Sequence, residues 1–248
     1  MQQTLLSLKK IITDKLTLTQ KKFIAEVIGT FIVVVLATGA VVIDAKFNGV
    51  FGIPFIAFLP FVGVAVSVYL FAKISMAYFN PAVTLGFLIT KHITKLQLVY
   101  YFTAQILGAL LGSLFVMYMI GSEADLGANS PHYAFPLPVI FGIEILASAL
   151  LMAVIIVVVY MNGLRGYGGL VIGGIVGLDI FFLAFISGAS MNPARSFAPA
   201  IVSGVLYNLW LYWSATFIGT SIVALLVRKK FTYDKEVQNR LRLKDRTY

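Results

Sequence analysis

The sequence predicts an all-α membrane protein: six spanning helices plus two shorter half-helices that enter the bilayer without crossing it, in an inverted repeat. Three observations predict this. Hydrophobic residues are 60% of the 248 and charged residues only 12%, where a soluble domain carries roughly a quarter charged. Six apolar stretches are long enough to span. The chain also repeats its own pattern, with three crossings in each half.

The spanning stretches read as 23–43, 54–72, 96–121, 137–161, 168–186 and 207–227. A helix needs ~20 apolar residues to cross the hydrocarbon core. Two apolar pieces, 80–90 and 192–203, are too short for that. Each opens with Asn-Pro-Ala, as Asn80-Pro81-Ala82 and Asn192-Pro193-Ala194. Asn is a favoured N-cap and Pro a favoured first helical residue, so both pieces start as helices and stop short.

Charge sets the topology. Of the 19 Lys and Arg, 17 fall in alternate segments. These are the N-terminal Lys9, Lys10, Lys15, Lys21 and Lys22, the loop residues Lys73, Lys91 and Lys95, Arg165, and the eight from Arg228 to Arg246. Only Lys46 and Arg195 lie on the other side. Basic residues favour the cytoplasmic face, which predicts a multi-pass cell-membrane protein with both termini in the cytoplasm. The net charge of +9 therefore points to anionic lipid headgroups as partners and not to nucleic acid. No cleavable signal peptide is expected, because the N-terminus is polar and no small-residue cleavage site precedes Phe23. The organisation is a basic tail at 1–22, a membrane body at 23–227 (repeats at 23–121 and 137–227), and a basic cytoplasmic tail at 228–248. The first tail is amphipathic around Leu5–Ile12; it lies along the membrane surface or is disordered.

The repeat shows in the first span of each half. Span one holds Glu26 in Ala25–Thr30, and span four holds Glu144 in Gly142–Ala147. Three crossings per half invert the second copy relative to the first, a recurrent arrangement in which discontinuous helices meet at the midplane. Gly108, Gly112, Gly169, Gly173 and Gly177 recur at three- to four-residue spacing, which lets membrane helices approach closely.

Composition also excludes function classes. There is no Cys, and the only histidines are His92 and His132. Disulfides and thiolate metal sites are excluded, a histidine-held metal or haem is disfavoured, and no cofactor is expected. A membrane enzyme would need a nucleophile–base or metal constellation, and no His or Cys lies in any span. A secondary transporter would need a coupling-ion site, and only Glu26, Glu144 and Asp179 are available to build one.

The segments Ile74–Thr84 and Ser187–Ser196 resemble the two signature loops of the aquaporin family. Ala104–Ala109 in span three is similar to the family pattern as well. The resemblance covers about residues 23–227. It implies a passive, non-enzymatic channel for water or similarly small neutral solutes, assembled as a homotetramer with one pore per subunit. It implies that Asn80 and Asn192 cap their own helices and point amide N–H groups into the pore. The two positive helix ends then meet at the midplane and oppose cations and protons. The matching glutamates, Glu26 and Glu144, brace the re-entrant loops. Arg195 belongs to an outer selectivity filter, joined by Pro60 (Phe61 after a one-residue slip), Ile180 and Ala189.

Departures bear on selectivity. Water-selective members place a His where this chain has Ile180 and a large aromatic where it has Pro60. The filter therefore reads as wider and less polar, leaving room for glycerol, urea, ammonia or hydrogen peroxide. Against this, Ser196, Ala200, Tyr212 and Trp213 resemble the water-channel set. The first loop reads Ser75-Met76-Ala77-Tyr78 where the family has Ser-Gly-Ala-His. Met76 and Tyr78 narrow the inner mouth, or are drift with the pore kept open, and no His is available there for a pH response. Asp179 reads as turned ~100° from Ile180, off the pore and toward a subunit contact; with the register shifted by one it would face the filter instead.

Overall fold

The computed structural model describes residues 16–231 other than Arg165. Its long helices are α1 (Leu18–Lys46), α2 (Gly52–Ser75), α4 (Lys95–Met119), α5 (Leu137–Tyr160), α6 (Gly168–Ser187) and α8 (Leu209–Phe231). Among the described residues these six are long and apolar enough to cross a membrane. The two half-helices are α3 (Pro81–Ile89) and α7 (Pro193–Ser203). The amphipathic segment Leu5–Ile12, expected to lie along the membrane surface or to be disordered, falls outside the described residues, as do Arg165 and most of the C-terminal tail.

The helix ends follow from local chemistry. Helix α1 starts five residues before the expected boundary because Thr17 and Gln20 form a capping box, with Gln20 Oε1 accepting from the Thr17 N–H at 2.8 Å. Thr94 and Gln97 do the same for α4. Pro60 sits inside α2. It removes one intrahelical donor, a loss tolerated in membrane helices where neighbours compensate.

The two halves pack alike. Helix α1 lies against α2 and α4, α5 lies against α6 and α8, and α2 meets α6 across the halves. A Cβ at Gly108 of α4 would overlap the Val27 carbonyl of α1, and one at Gly219 of α8 would overlap the Ile145 carbonyl of α5. Val27 follows Glu26 and Ile145 follows Glu144, so one contact is made twice. Gly169 and Gly173 of α6 likewise press on the carbonyls of Ala65 and Phe61.

Beyond the far end of α3 lies a small polar cluster. Thr90 Oγ1 donates to the Gly86 carbonyl at 3.1 Å and lies 2.8 Å from His92 Nδ1. His92 Nε2 pairs with the Tyr160 hydroxyl, so both ring nitrogens are hydrogen-bonded. The His92 ring stands edge-on to Phe87, centroids 5.3 Å apart. Burial lowers the His92 pKa from its ordinary 6.5, with a backbone hydrogen bond at Thr90 opposing in part.

Two predictions follow from this packing. Gly108→Leu should cost about 1–3 kcal/mol of stability, read by thermal unfolding in detergent. Gly142→Ala should cost little by comparison, since a Cβ there meets nothing within 4 Å. For His92 the sign is set by the lowered pKa: the unfolded chain takes up the proton first, so stability falls as pH drops below about 6.5 and through the folded-state value. His92→Gln should flatten that part of a melting-temperature-against-pH curve.

Candidate functional site

Between α2 and α3, and again between α6 and α7, the backbone leaves the helix. Met76, Ala77 and Phe79 in the first loop, and Gly188, Ala189 and Met191 in the second, take left-handed φ values between 43° and 86°. Such backbone is costly for non-glycine residues and needs outside partners at this depth.

Two carboxyl groups supply them. Glu26, fully buried, accepts from the Tyr78 N–H at 3.0 Å, the Phe79 N–H at 2.8 Å and Ser75 Oγ at 2.7 Å. Gln105 Nε2 donates to Glu26 at 2.9 Å and to Thr84 Oγ1 at 2.9 Å, tying α1 to α3 and α4. Glu144, also fully buried, accepts from the Met191 N–H at 2.7 Å and Ser187 Oγ at 3.0 Å. The symmetry extends further. Tyr101 donates to the Ser75 carbonyl at 3.2 Å, and Tyr212 donates to the Ser187 carbonyl at 2.6 Å.

The half-helices meet end to end. Asn80 Oδ1 accepts from the Ala82 N–H at 2.9 Å, and Asn192 Oδ1 from the Ala194 N–H at 3.0 Å. The amide nitrogens cross over. Asn80 Nδ2 donates to the Met191 carbonyl at 2.8 Å, and Asn192 Nδ2 donates to the Phe79 carbonyl at 2.9 Å. Each side-chain NH₂ group carries two protons. One of the two is used to join the loops, which leaves one N–H of each for the cavity that both residues line.

That cavity has a volume of about 90 Å³. Pro60, Ile180, Ala189 and Arg195 all line it on the side where α2 begins and α6 ends. Phe61 is turned into α6, packed on Gly173 and Gly177. Arg195 Nη1 donates to the Gly127 carbonyl at 3.0 Å and to Asn129 Oδ1 at 2.6 Å. Asn129 also accepts from Ser196 Oγ at 3.0 Å, and its amide donates to the Gly188 carbonyl at 3.0 Å. It thus joins the arginine to the second loop.

The Gly127 carbonyl is aimed by a left-handed turn over Glu123–Gly127, in which Ala124, Asp125 and Leu126 have φ of 47°, 52° and 59°. Buried Leu126 anchors the turn against Val42 and Val116. A Cβ at Gly127 would meet the Thr38 carbonyl at 2.8 Å, so only glycine fits.

Sequence reasoning missed Asn129. It sits in an aperiodic loop between spans, where an asparagine reads as turn chemistry. Tyr212 and Trp213 do not line the cavity; Trp213 Nε1 donates to the Pro193 carbonyl at 3.2 Å and props α7 from behind. Asp179 does not line the cavity either. It is only 3% exposed in the single chain, too little to form the subunit contact expected of it. Its Oδ2 is buried with no hydrogen-bond partner among the described residues. Its direction off the pore agrees with the helical register; its burial follows from the close packing of α6 against α2 and α5.

Comparison with known proteins adds to this geometry. The pattern that defines the family described as "Major intrinsic protein" matches residues 13–227. The chain is 38% identical over 205 residues to "Aquaporin NIP1-1" of Zea mays, covering 80% of this chain and 71% of the relative. It is 34% identical over 212 residues to "Aquaporin TIP4-4", also of Zea mays, covering 82% and 83%. In fold it is similar to the solved structure titled "X-ray structure of the aquaglyceroporin from Plasmodium falciparum", with a TM-score of 0.73 at 24% identity, covering 85% of this chain and 96% of that one. Two re-entrant half-helices closing on one lined cavity, together with these matches, show that the chain belongs to the major intrinsic protein family, the aquaporins, and is a passive multi-pass membrane channel for water or small solutes and not an enzyme.

Proposed function

We propose that the chain conducts water, and a limited set of other small neutral solutes, while excluding ions and protons. One observation carries the reading: two half-helix N-termini capped by Asn80 and Asn192 meet on a single cavity that also holds Arg195. Each N-terminus presents about half a positive charge. Together they oppose a cation in a narrow, low-dielectric passage. The two asparagine N–H groups orient a passing water oxygen, and a water held this way cannot hand a proton along the file. Glu26 and Glu144 act as loop braces, and Arg195 acts as the polar member of the outer filter.

The other filter members support a second solute. Pro60, Ile180 and Ala189 offer one apolar wall and no side-chain hydrogen-bond donor beside Arg195. Without a histidine, the filter level leaves room for glycerol, urea, ammonia or hydrogen peroxide, whatever the rest of the pore admits. The distribution of Lys and Arg supports cytoplasmic termini. Large apolar side chains such as Phe58, Tyr69, Phe182 and Phe185 stand exposed on α2 and α6. They support contact with lipid or with neighbouring copies, and with the family resemblance they fit a homotetramer.

Stopped-flow swelling of proteoliposomes tests the reading. Fast, unsaturable water flux with low activation energy is expected; saturable, ion-dependent uptake would overturn it in favour of a transporter, and no flux in favour of a structural role. Arg195→Val should raise the leak of protons or of solutes larger than water by roughly tenfold relative to water, and unchanged selectivity would refute the filter assignment. Asn129→Leu should act in the same direction as Arg195→Val but less strongly, because the Gly127 carbonyl still holds the guanidinium. An Asn129→Leu channel with unaltered selectivity would show that the loop does not position the arginine.

A further inference from the structure

We propose that Tyr78 is a second specificity-determining residue, setting from the inner half of the pore which solutes larger than water pass. The proposal rests on the neutral-solute channel read above. The polar side chains lining the cavity are Tyr78, Asn80, Ser190, Asn192 and Arg195. The last four belong to the asparagine junction and the filter side. Inward of the junction, the lining comes from the later part of α2, from α3, from the end of α5 and from the start of α6, through residues such as Val68, Phe87, Ile155 and Ile172. Tyr78 is the only polar side chain there, and its hydroxyl has no hydrogen-bond partner among the described residues.

The ring is held on several sides. Its backbone N–H is tied to Glu26. It stacks on Phe87 with centroids 4.8 Å apart and planes at 30°, and Tyr101 meets it edge-on at 5.1 Å. Phe87, 1% exposed, is backed in turn by the edge of His92, which is bonded to Thr90 and Tyr160. To swing clear, Tyr78 would have to unstack from Phe87 and leave Tyr101. Interiors this closely packed resist such shifts.

The consequence is a division of labour. The outer filter grips with one cation and is otherwise apolar. The inner station offers one hydroxyl, both donor and acceptor, against aliphatic walls and a fixed ring. A water needs only one such partner. A three-carbon polyol needs several partners at once and finds a single hydroxyl beside a fixed ring. Tyr78, more than Ile180 or Pro60, therefore sets the size limit.

Water and glycerol permeability should be measured on proteoliposomes of the wild-type chain, Tyr78→Ala, Tyr78→Phe and Ile180→Ala, each scaled to folded protein. Tyr78→Ala should raise the glycerol-to-water permeability ratio by about tenfold or more, and Ile180→Ala should raise it far less. Tyr78→Phe keeps the ring but not the hydroxyl; it should still reject glycerol and should conduct water more slowly. If Tyr78→Ala does not fold, Tyr78→His, the smaller ring found in the family, carries the same expectation. A ratio that stays at the wild-type value in whichever of these two variants folds, or that rises as much in Ile180→Ala, overturns the proposal. Wild-type vesicles without water flux would overturn the channel reading itself, a distinguishable failure.

Discussion

Peptide groups that leave a helix in the middle of a bilayer must find partners, or cost several kcal/mol each. Glu26 and Glu144 meet that constraint here. A neutral side chain offers fewer acceptor sites than a carboxylate, which has about four. Glu26 uses this capacity on two N–H groups, a serine and a glutamine. The result is a non-helical strand whose carbonyls have somewhere to face other than lipid. The half-helices, their caps and the cavity between them all follow from those two braced loops. A hydrogen bond contributes about 0.5–1.5 kcal/mol net, and the several that each loop receives are set against the left-handed residues it contains.

Much of this was legible in the residues themselves. Span count followed from hydropathy, since nothing else lets six apolar runs of this length exist in water. The half-helices followed from length together with Asn and Pro at their starts. Close helix contacts were signalled by glycine spacing, and the structure puts Gly108 and Gly173 on backbone carbonyls of neighbouring helices. The capping pair Thr17 and Gln20 lies outside the apolar run, which is why the first helix extends beyond the boundary that hydropathy marks. The filter positions came from the family resemblance; spacing alone did not give them.

What stayed hidden shares one cause: it depends on which side chains meet across long sequence separations. Asn129 and Arg195 are 66 residues apart, and no periodicity links them. The crossing of the asparagine amides is of the same kind, because capping predicts where Oδ1 goes and is silent on Nδ2. Asp179 shows the opposite limit. Its direction off the pore was readable from the helical turn, but its burial depends on how closely α6 sits against its neighbours. His92, in the loop after α3, comes to stand behind the aromatic pair of Phe87 and Tyr78, a placement set by how the half-helix ends and not by any period in the sequence.

The exchanged amide bonds also have a bearing on biogenesis. Asn80 is joined to a carbonyl 111 residues further along the chain. At the ~5–20 residues per second of ribosomal synthesis, the first half waits roughly 5–20 s for its partner. During that interval one loop lies in the nascent protein with its midplane donor unmet. The insertion machinery, or water held at that depth, must shelter the half-built molecule until the second copy arrives to complete it.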